Sequence, residues 1–176
     1  MSETERVLPW KITESELPET TTVGEEEKKA TEKAMNLLLS QERTKKELED
    51  RLYRAGYSEA ATRYAVQYVA SFGYLDDRRC AVNYISYHKG SRSRKELQYK
   101  LLNKGVPKDI LAEVFMEYDN EDEQEALRLM LSKRLKDRRI SDLDMKEKNK
   151  VISYLARKGY AISAIRSAMR EQENIE

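Results

Sequence analysis

Apolar residues recur along this chain in one phrase, used three times. It reads Leu48-x-x-x-Leu52-x-x-x-Gly56-Tyr57, then Leu97-x-x-x-Leu101-x-x-x-Gly105-Val106, then Val151-x-x-x-Leu155-x-x-x-Gly159-Tyr160. The four-residue spacing puts the two apolar side chains of each copy on one face of a helix. The glycine stands where a residue in the left-handed region ends a helix, and a Cβ there is penalised. The three glycines are 49 and 54 residues apart. Repetition at that period predicts a stacked array of small helical units rather than one compact enzyme domain.

The positions around each copy predict two further helices per unit. Ahead of it lie Ala34, Leu37 and Leu38, then Ala81, Tyr84 and Ile85, then Leu127, Met130 and Leu131. Each set has the i, i+3, i+4 stripe of a helix with one buried face. After it come Ala60, Ala61, Tyr64, Ala65, Tyr68, Val69 and Phe72 in the first unit. Ile110, Leu111, Val114, Phe115 and Tyr118 follow in the second, and Ile162, Ala164, Ile165, Ala168 and Met169 in the third. Thr44-x-x-Glu47 and Ser93-x-x-Glu96 match a capping box at the start of the middle helix, and Pro107 suits a first helical turn. The turns between second and third helices leave room only for a sharp reversal, as in a helix-turn-helix. No segment alternates strongly enough for a strand. The predicted fold is all-α: three tandem three-helix repeats at 28–73, 74–118 and 119–176, in an elongated, curved array. From the last apolar residue of the first helix to the glycine is 18, 20 and 28 residues in the three units. The third unit therefore carries extra, charged residues around Lys136 to Lys146.

Composition agrees with helices: 39% of residues are hydrophobic, 37% charged, and only 6 are Gly and 3 Pro. Net charge is +1, but residues 1–27 carry 2 basic and 8 acidic side chains, for −6, and the rest carries +7. An acidic, aperiodic stretch with two of the three prolines predicts a disordered N-terminal tail, either solubilising or able to compete for a basic surface. No run approaches the roughly 20 apolar residues of a membrane span, and Met1 to Arg6 lacks the pattern of a secretory signal. The single cysteine, Cys80, fits a reducing cytosol, so a cytoplasmic protein is expected.

Candidate chemistry is sparse. Asp76 can cap the helix that follows Gly73-Tyr74-Leu75, and Asp77 in its first turn favours the dipole. His88, the only histidine, lies among Tyr84, Ile85 and Tyr87 and reads as a partly packed helix residue; Cys80 reads as a small packed one. No phosphate loop, Walker sequence or metal-binding helix motif is present in the sequence, so no enzyme, metal or cofactor is expected. The basic residues are more promising. Lys89, Arg92, Arg94, Lys95, Lys100 and Lys104 crowd the second unit with only Glu96 among them; Lys133, Arg134, Lys136, Arg138 and Arg139 form a second cluster, balanced by Asp137, Asp142 and Asp144. Such density can follow a phosphate backbone or an acidic protein groove, against the alternative of a solvated face. Most of the 11 tyrosines sit at helical spacing and read as packing, with a minority available to stack on bases.

Three phrases together resemble the RecX family of bacterial regulators. They are Thr44-Lys45-Lys46-Glu47-Leu48-x-x-x-Leu52-x-x-x-Gly56-Tyr57, Gly73-Tyr74-Leu75-Asp76-Asp77-x-Arg79-x-Ala81-x-x-Tyr84-Ile85, and Ser93-x-Lys95-Glu96-Leu97-x-x-x-Leu101-x-x-Lys104-Gly105-Val106. The glycine–aromatic–apolar–Asp–Asp run before a helix is the most specific of them. The resemblance covers residues 30–118 well and reaches the third unit through Leu155-x-x-Lys158-Gly159-Tyr160. It implies an all-helical modulator that binds the RecA recombinase filament on single-stranded DNA and restrains its ATPase and strand-exchange activities in recombinational repair and the SOS response. Direct contact with single- or double-stranded DNA is also implied, and the chain is expected to act as a monomer. Two other readings stay open: a helical DNA-binding protein acting without RecA, and a helical-repeat scaffold for another protein.

Overall fold

The computed structural model describes residues 23–118, 120–136 and 138–174. Nine helices, and no strand, occur among the described residues: α1 (Glu25–Ser40), α2 (Lys45–Arg54), α3 (Glu59–Ser71), α4 (Asp77–His88), α5 (Arg94–Asn103), α6 (Lys108–Met116), α7 (Asn120–Leu135), α8 (Met145–Arg157) and α9 (Ile162–Glu173). None of these helices is long and apolar enough to cross a membrane. Residues 1–22 of the expected tail lie outside the described residues, while Glu25, Glu26 and Glu27 form the first turn of α1, where negative charge complements the helix dipole.

Each repeated phrase has the same local structure. Leu48, Leu52, Leu97, Leu101 and Leu155 are fully buried, and Val151 nearly so. Gly56, Gly105 and Gly159 have φ of 91°, 84° and 98°, the left-handed region. The residue after each glycine returns its amide to the last turn: Tyr57 to Leu52 at 3.3 Å, Val106 to Leu101 at 3.1 Å and Tyr160 to Leu155 at 3.3 Å. These bonds satisfy carbonyls that a helix end otherwise leaves free.

Contacts divide the described chain into two units. The first comprises residues 23–43 and 47–75. Its core joins Ala30, Ala34 and Met35 of α1, Leu48 and Leu52 of α2, and Ala61, Ala65, Val66 and Val69 of α3. Alanines on the facing sides of α1 and α3 let the helix axes approach closely. The apolar face expected for α3 is narrower than its sequence stripe, because Ala60 is exposed and Phe72 is 48% exposed. Phe72 instead continues a line of rings on the flank, 4.9 Å from Tyr68 and 6.4 Å from Tyr74.

The second unit comprises residues 44–46 and 76–174 and contains two buried clusters. One gathers Ala81, Ile85, Leu97, Leu101, Val106, Leu111, Val114 and Phe115 around α4, α5 and α6. The other gathers Leu127, Leu131, Leu135, Val151, Leu155, Tyr160, Ile165 and Met169 around α7, α8 and α9. Ile162, expected in this stripe, is 51% exposed. Asp76 caps α4 as expected, accepting from the Arg79 amide at 3.0 Å. Pro107 stands one residue earlier than expected, as the N-cap of α6.

The long segment of the third repeat is not simply a charged loop. Lys136, with φ of 57°, ends α7, and Ile140 and Leu143 then bury themselves in the core before Asp144 opens α8. Asp144 and Glu147 form a complete capping box. Ser93 forms half of the box expected there, accepting from the Glu96 amide at 3.1 Å. Its hydroxyl proton goes elsewhere, to the carbonyl of Lys158 at 2.7 Å. Thr44 likewise donates to the carbonyl of Lys104. A buried hydroxyl at the start of one repeat's middle helix thus meets the carbonyl just before the glycine of the next.

Candidate functional site

Among the described residues no group of His, Cys, Asp and Glu is placed to hold a metal ion, and the candidate site residues are all basic. The first basic cluster separates into two groups. Lys89 reaches Asp122 at 2.9 Å. Arg92 donates to the Tyr84 hydroxyl at 2.6 Å and lies 5.8 Å from that ring, which Lys104 approaches at the same distance. Arg94 donates its side chain to the Phe115 carbonyl at 2.8 Å and lies over the Phe115 and Tyr118 rings at 5.4 and 5.7 Å. Its backbone amide bonds Glu123 at 3.0 Å. These four side chains are occupied within the second unit, where a cation held on a ring face is worth about 0.5–2 kcal/mol. Lys95 and Lys100 are exposed on α5.

Two groups near this cluster are shifted. Burial, with Glu123 and Asp122 nearby, pushes the Tyr118 hydroxyl up to about 12. Burial first, and then Arg92, holds His88 below the usual histidine range. That ring packs 4.4 Å from Tyr84 and 4.9 Å from Tyr87, the half-packed position expected from sequence.

The second cluster is also divided. Arg138 holds Glu147 with two bonds of 2.8 and 3.0 Å, which raises the guanidinium and lowers the carboxyl from their ordinary values. Lys133, Arg134, Lys136 and Arg139 are exposed, and Arg134 lies 5.0 Å from the Tyr154 ring. Asp137 lies outside the described residues.

Arg134 belongs to a basic groove that the sequence clusters do not include. It is an open groove of about 690 Å³, lined by Arg134 of α7 and by Lys146, Asn149, Lys150, Ser153 and Arg157 of α8. No carboxylate lines it. Along the linear sequence these lysines are interrupted by Glu147 and by a further lysine, Lys148. The helix sorts them: Glu147 turns to Arg138, and Lys148 pairs with Glu173 at 2.8 Å. The available signal is the i, i+4, i+7, i+11 register of 146, 150, 153 and 157, which holds no acid.

Comparisons with known proteins agree along the chain. A model of the third three-helix domain of RecX matches residues 121–169, and a model of the first three-helix domain matches residues 30–68. Regulatory protein RecX of Caldanaerobacter subterraneus subsp. tengcongensis is 32% identical over 146 residues, covering 82% of this chain and 71% of that protein. Regulatory protein RecX of Clostridium botulinum is 28% identical over 149 residues, covering 84% and 70%; that of Clostridium perfringens is 30% identical over 135 residues, covering 76% and 64%. The chain thus spans roughly two thirds of the length of these curated relatives. The crystal structure of RecX from Lactobacillus salivarius superposes with a TM-score of 0.73 at 21% identity, over 86% of this chain and 98% of that one, which establishes the shared fold. With matching domain models at both ends and a common fold between them, the chain belongs to the RecX family of regulatory proteins.

Proposed function

We propose that this protein binds the RecA filament assembled on single-stranded DNA and restrains its ATP hydrolysis and strand exchange, within recombinational repair and the SOS response. The observation that carries this reading is the match to regulatory proteins named RecX over most of the chain. Two features support it. The buried hydroxyl of Ser93 and its carbonyl partner give the second unit a fixed internal frame, suited to presenting side chains at set spacings. On that frame Lys95, Lys100, Lys133 and Arg139 project as exposed cations that can meet acidic protein surfaces. Arg92, Arg94 and Lys89 serve the frame instead. The domain division into repeats at 28–73, 74–118 and 119–176 belongs to the same reading, with the first two repeats supplying shape and contacts and the third extending reach.

The test is co-sedimentation with RecA filaments formed on single-stranded DNA. The protein is expected in the pellet with filaments and in the supernatant without them. Replacing Lys95, Lys100 and Lys133 by Glu should weaken capture at least tenfold, because reversed charge at an electrostatic contact repels the partner. Wild-type protein that stays in the supernatant at saturating filament would overturn the proposal.

A further inference from the structure

The chain has two phenylalanines, and the fold treats them differently. Phe115 is 2% exposed in the core of the second unit, whereas Phe72 is 48% exposed on the first. A phenylalanine has no polar atom, so unlike a tyrosine it gains nothing from meeting water at its rim. Tyr64, Tyr68 and Phe72 recur at four-residue spacing along α3 and its C-cap, and so share one face. Their rings and that of Tyr74 follow one another at centroid distances of 6.2, 4.9 and 6.4 Å. Tyr74 is 41% exposed. A continuous aromatic strip on the surface of a small unit marks a contact face.

The sequence supplies an apolar segment to meet it. Residues 1–22 contain five acids, Glu3, Glu5, Glu14, Glu16 and Glu19, with Val7-Leu8-Pro9-Trp10-Lys11-Ile12 between them. The acids account for a solubilising extension. Trp10, the single tryptophan, does not, because stretches that stay solvated are poor in aromatics. The described chain starts at Val23, 13 residues after Trp10, and such a length spans at most about 45 Å. That starting point is held beside the first turn of α3: Glu26 accepts from the Ser58 amide at 2.7 Å and from its hydroxyl at 2.8 Å. From Ser58 to Phe72 is 14 steps, about 21 Å along a helix. The segment therefore reaches every ring of the strip. A tether this short keeps it at about millimolar effective concentration, so a contact too weak for a free peptide is populated here.

We infer that Val7 to Ile12 lie across the aromatic strip of their own chain, with Trp10 packed against Phe72. Rings already set in tilted and offset succession suit a further ring added in the same manner. Pro9 fixes its own backbone and holds Leu8 extended, which lets the segment follow the strip. The inference concerns the first unit alone and stands independently of the RecA reading.

Trp10 is its own probe, and the test is acrylamide quenching of tryptophan emission in the full chain without a partner. Only the undocked fraction meets the quencher, so the intact chain should be quenched about threefold less steeply than a synthetic peptide of residues 1–22. Phe72→Ser should bring quenching to that of the peptide, whereas Tyr99→Ser, at an exposed ring of α5, should leave it unchanged. Far-UV circular dichroism checks folding, and Phe72→Leu, which keeps an apolar side chain, should retain part of the protection. A second readout leaves the folded unit untouched: tryptic cleavage after Lys11 should be about threefold slower in the wild type than in Trp10→Ser. Four results would overturn the inference: quenching equal to that of the peptide, quenching unchanged by Phe72→Ser, equal cleavage after Lys11 in wild type and Trp10→Ser, or protection that grows with protein concentration, which would assign the strip to a second copy.

Discussion

Gly56 and Gly159 close equivalent helices with the same backbone conformation, yet their surroundings differ. A Cβ built on Gly56 meets no described atom within 4 Å. One built on Gly159 falls 2.5 Å from the Ser93 hydroxyl oxygen and 3.1 Å from the Lys95 Cβ. At Gly105 the corresponding contact is with the Lys46 side chain. The helix stop alone explains the first glycine. The later two also admit a neighbouring helix start, whose hydroxyl reaches the carbonyl beside them. One repeated residue therefore does one job in the first repeat and two jobs in the later ones.

Substitution separates the two jobs. Gly159→Ala should destabilise the protein by about 2–5 kcal/mol, combining a left-handed Cβ with overpacking against Ser93. Gly56→Ala should cost about 1–2 kcal/mol, the backbone term alone. Urea unfolding of both variants measures the gap, and equal losses would break the comparison. Ser93→Ala should cost about 1–3 kcal/mol, because it removes a helix cap and leaves the Lys158 carbonyl without its donor. In the double variant Ser93→Ala, Gly159→Ala the losses should be less than additive, by about 0.5–3 kcal/mol, since the clashing oxygen is gone. Strict additivity would show that the two residues do not share a joint.

The third repeat offers a contrast at the start of its middle helix. Asp144 caps α8 one turn earlier in the repeat than Thr44 and Ser93, 15 rather than 12 residues before the glycine, and spends its side chain on a closed capping box with Glu147. An ionised carboxylate has no proton to donate to a further repeat. Asp144→Ala should therefore cost about 1 kcal/mol, the value of an exposed cap. The smallest expected effect concerns Glu147. Arg138 first, then the Asp144 amide, lowers its carboxyl from the ordinary 4.5. A depressed carboxylate contributes stability that is complete above its unfolded value and is lost as pH falls through the folded one. Glu147→Gln should thus narrow the difference in melting temperature from wild type below about pH 4.5, with the full deficit at neutral pH. A deficit that stays constant down to strong acid would show that the pairing is not the cause.

Much of this was legible in the repeated phrase. Its leucines are core, its glycines are left-handed, and Asp76 caps α4 as its position before the helix requires. The second role of Gly105 and Gly159 was not legible, because the neighbours that need the space lie more than 50 residues away in sequence. The occupation of Arg92 and Arg94 was hidden for a different reason: their partners Tyr84 and Phe115 are aromatic and neutral, whereas charge counting looks for acids. The groove on α8 was missed in the opposite sense. Lys146, Glu147 and Lys148 are adjacent in sequence, and only the helix turns Glu147 to Arg138 and Lys148 to Glu173. Ile140 and Leu143 likewise sit inside a stretch whose charge density reads as loop, although both anchor it to the core.

The frame and the proposed contacts use different residues: the frame relies on buried hydroxyls and glycines, and the cations proposed to meet partners are exposed. The central functional claim is restraint of RecA. Its most direct test is ATP hydrolysis by RecA on single-stranded DNA, titrated with the purified protein. The account predicts that hydrolysis falls progressively and reaches a plateau well below the starting rate. Hydrolysis that stays at its starting rate when the protein is in excess over RecA would contradict it.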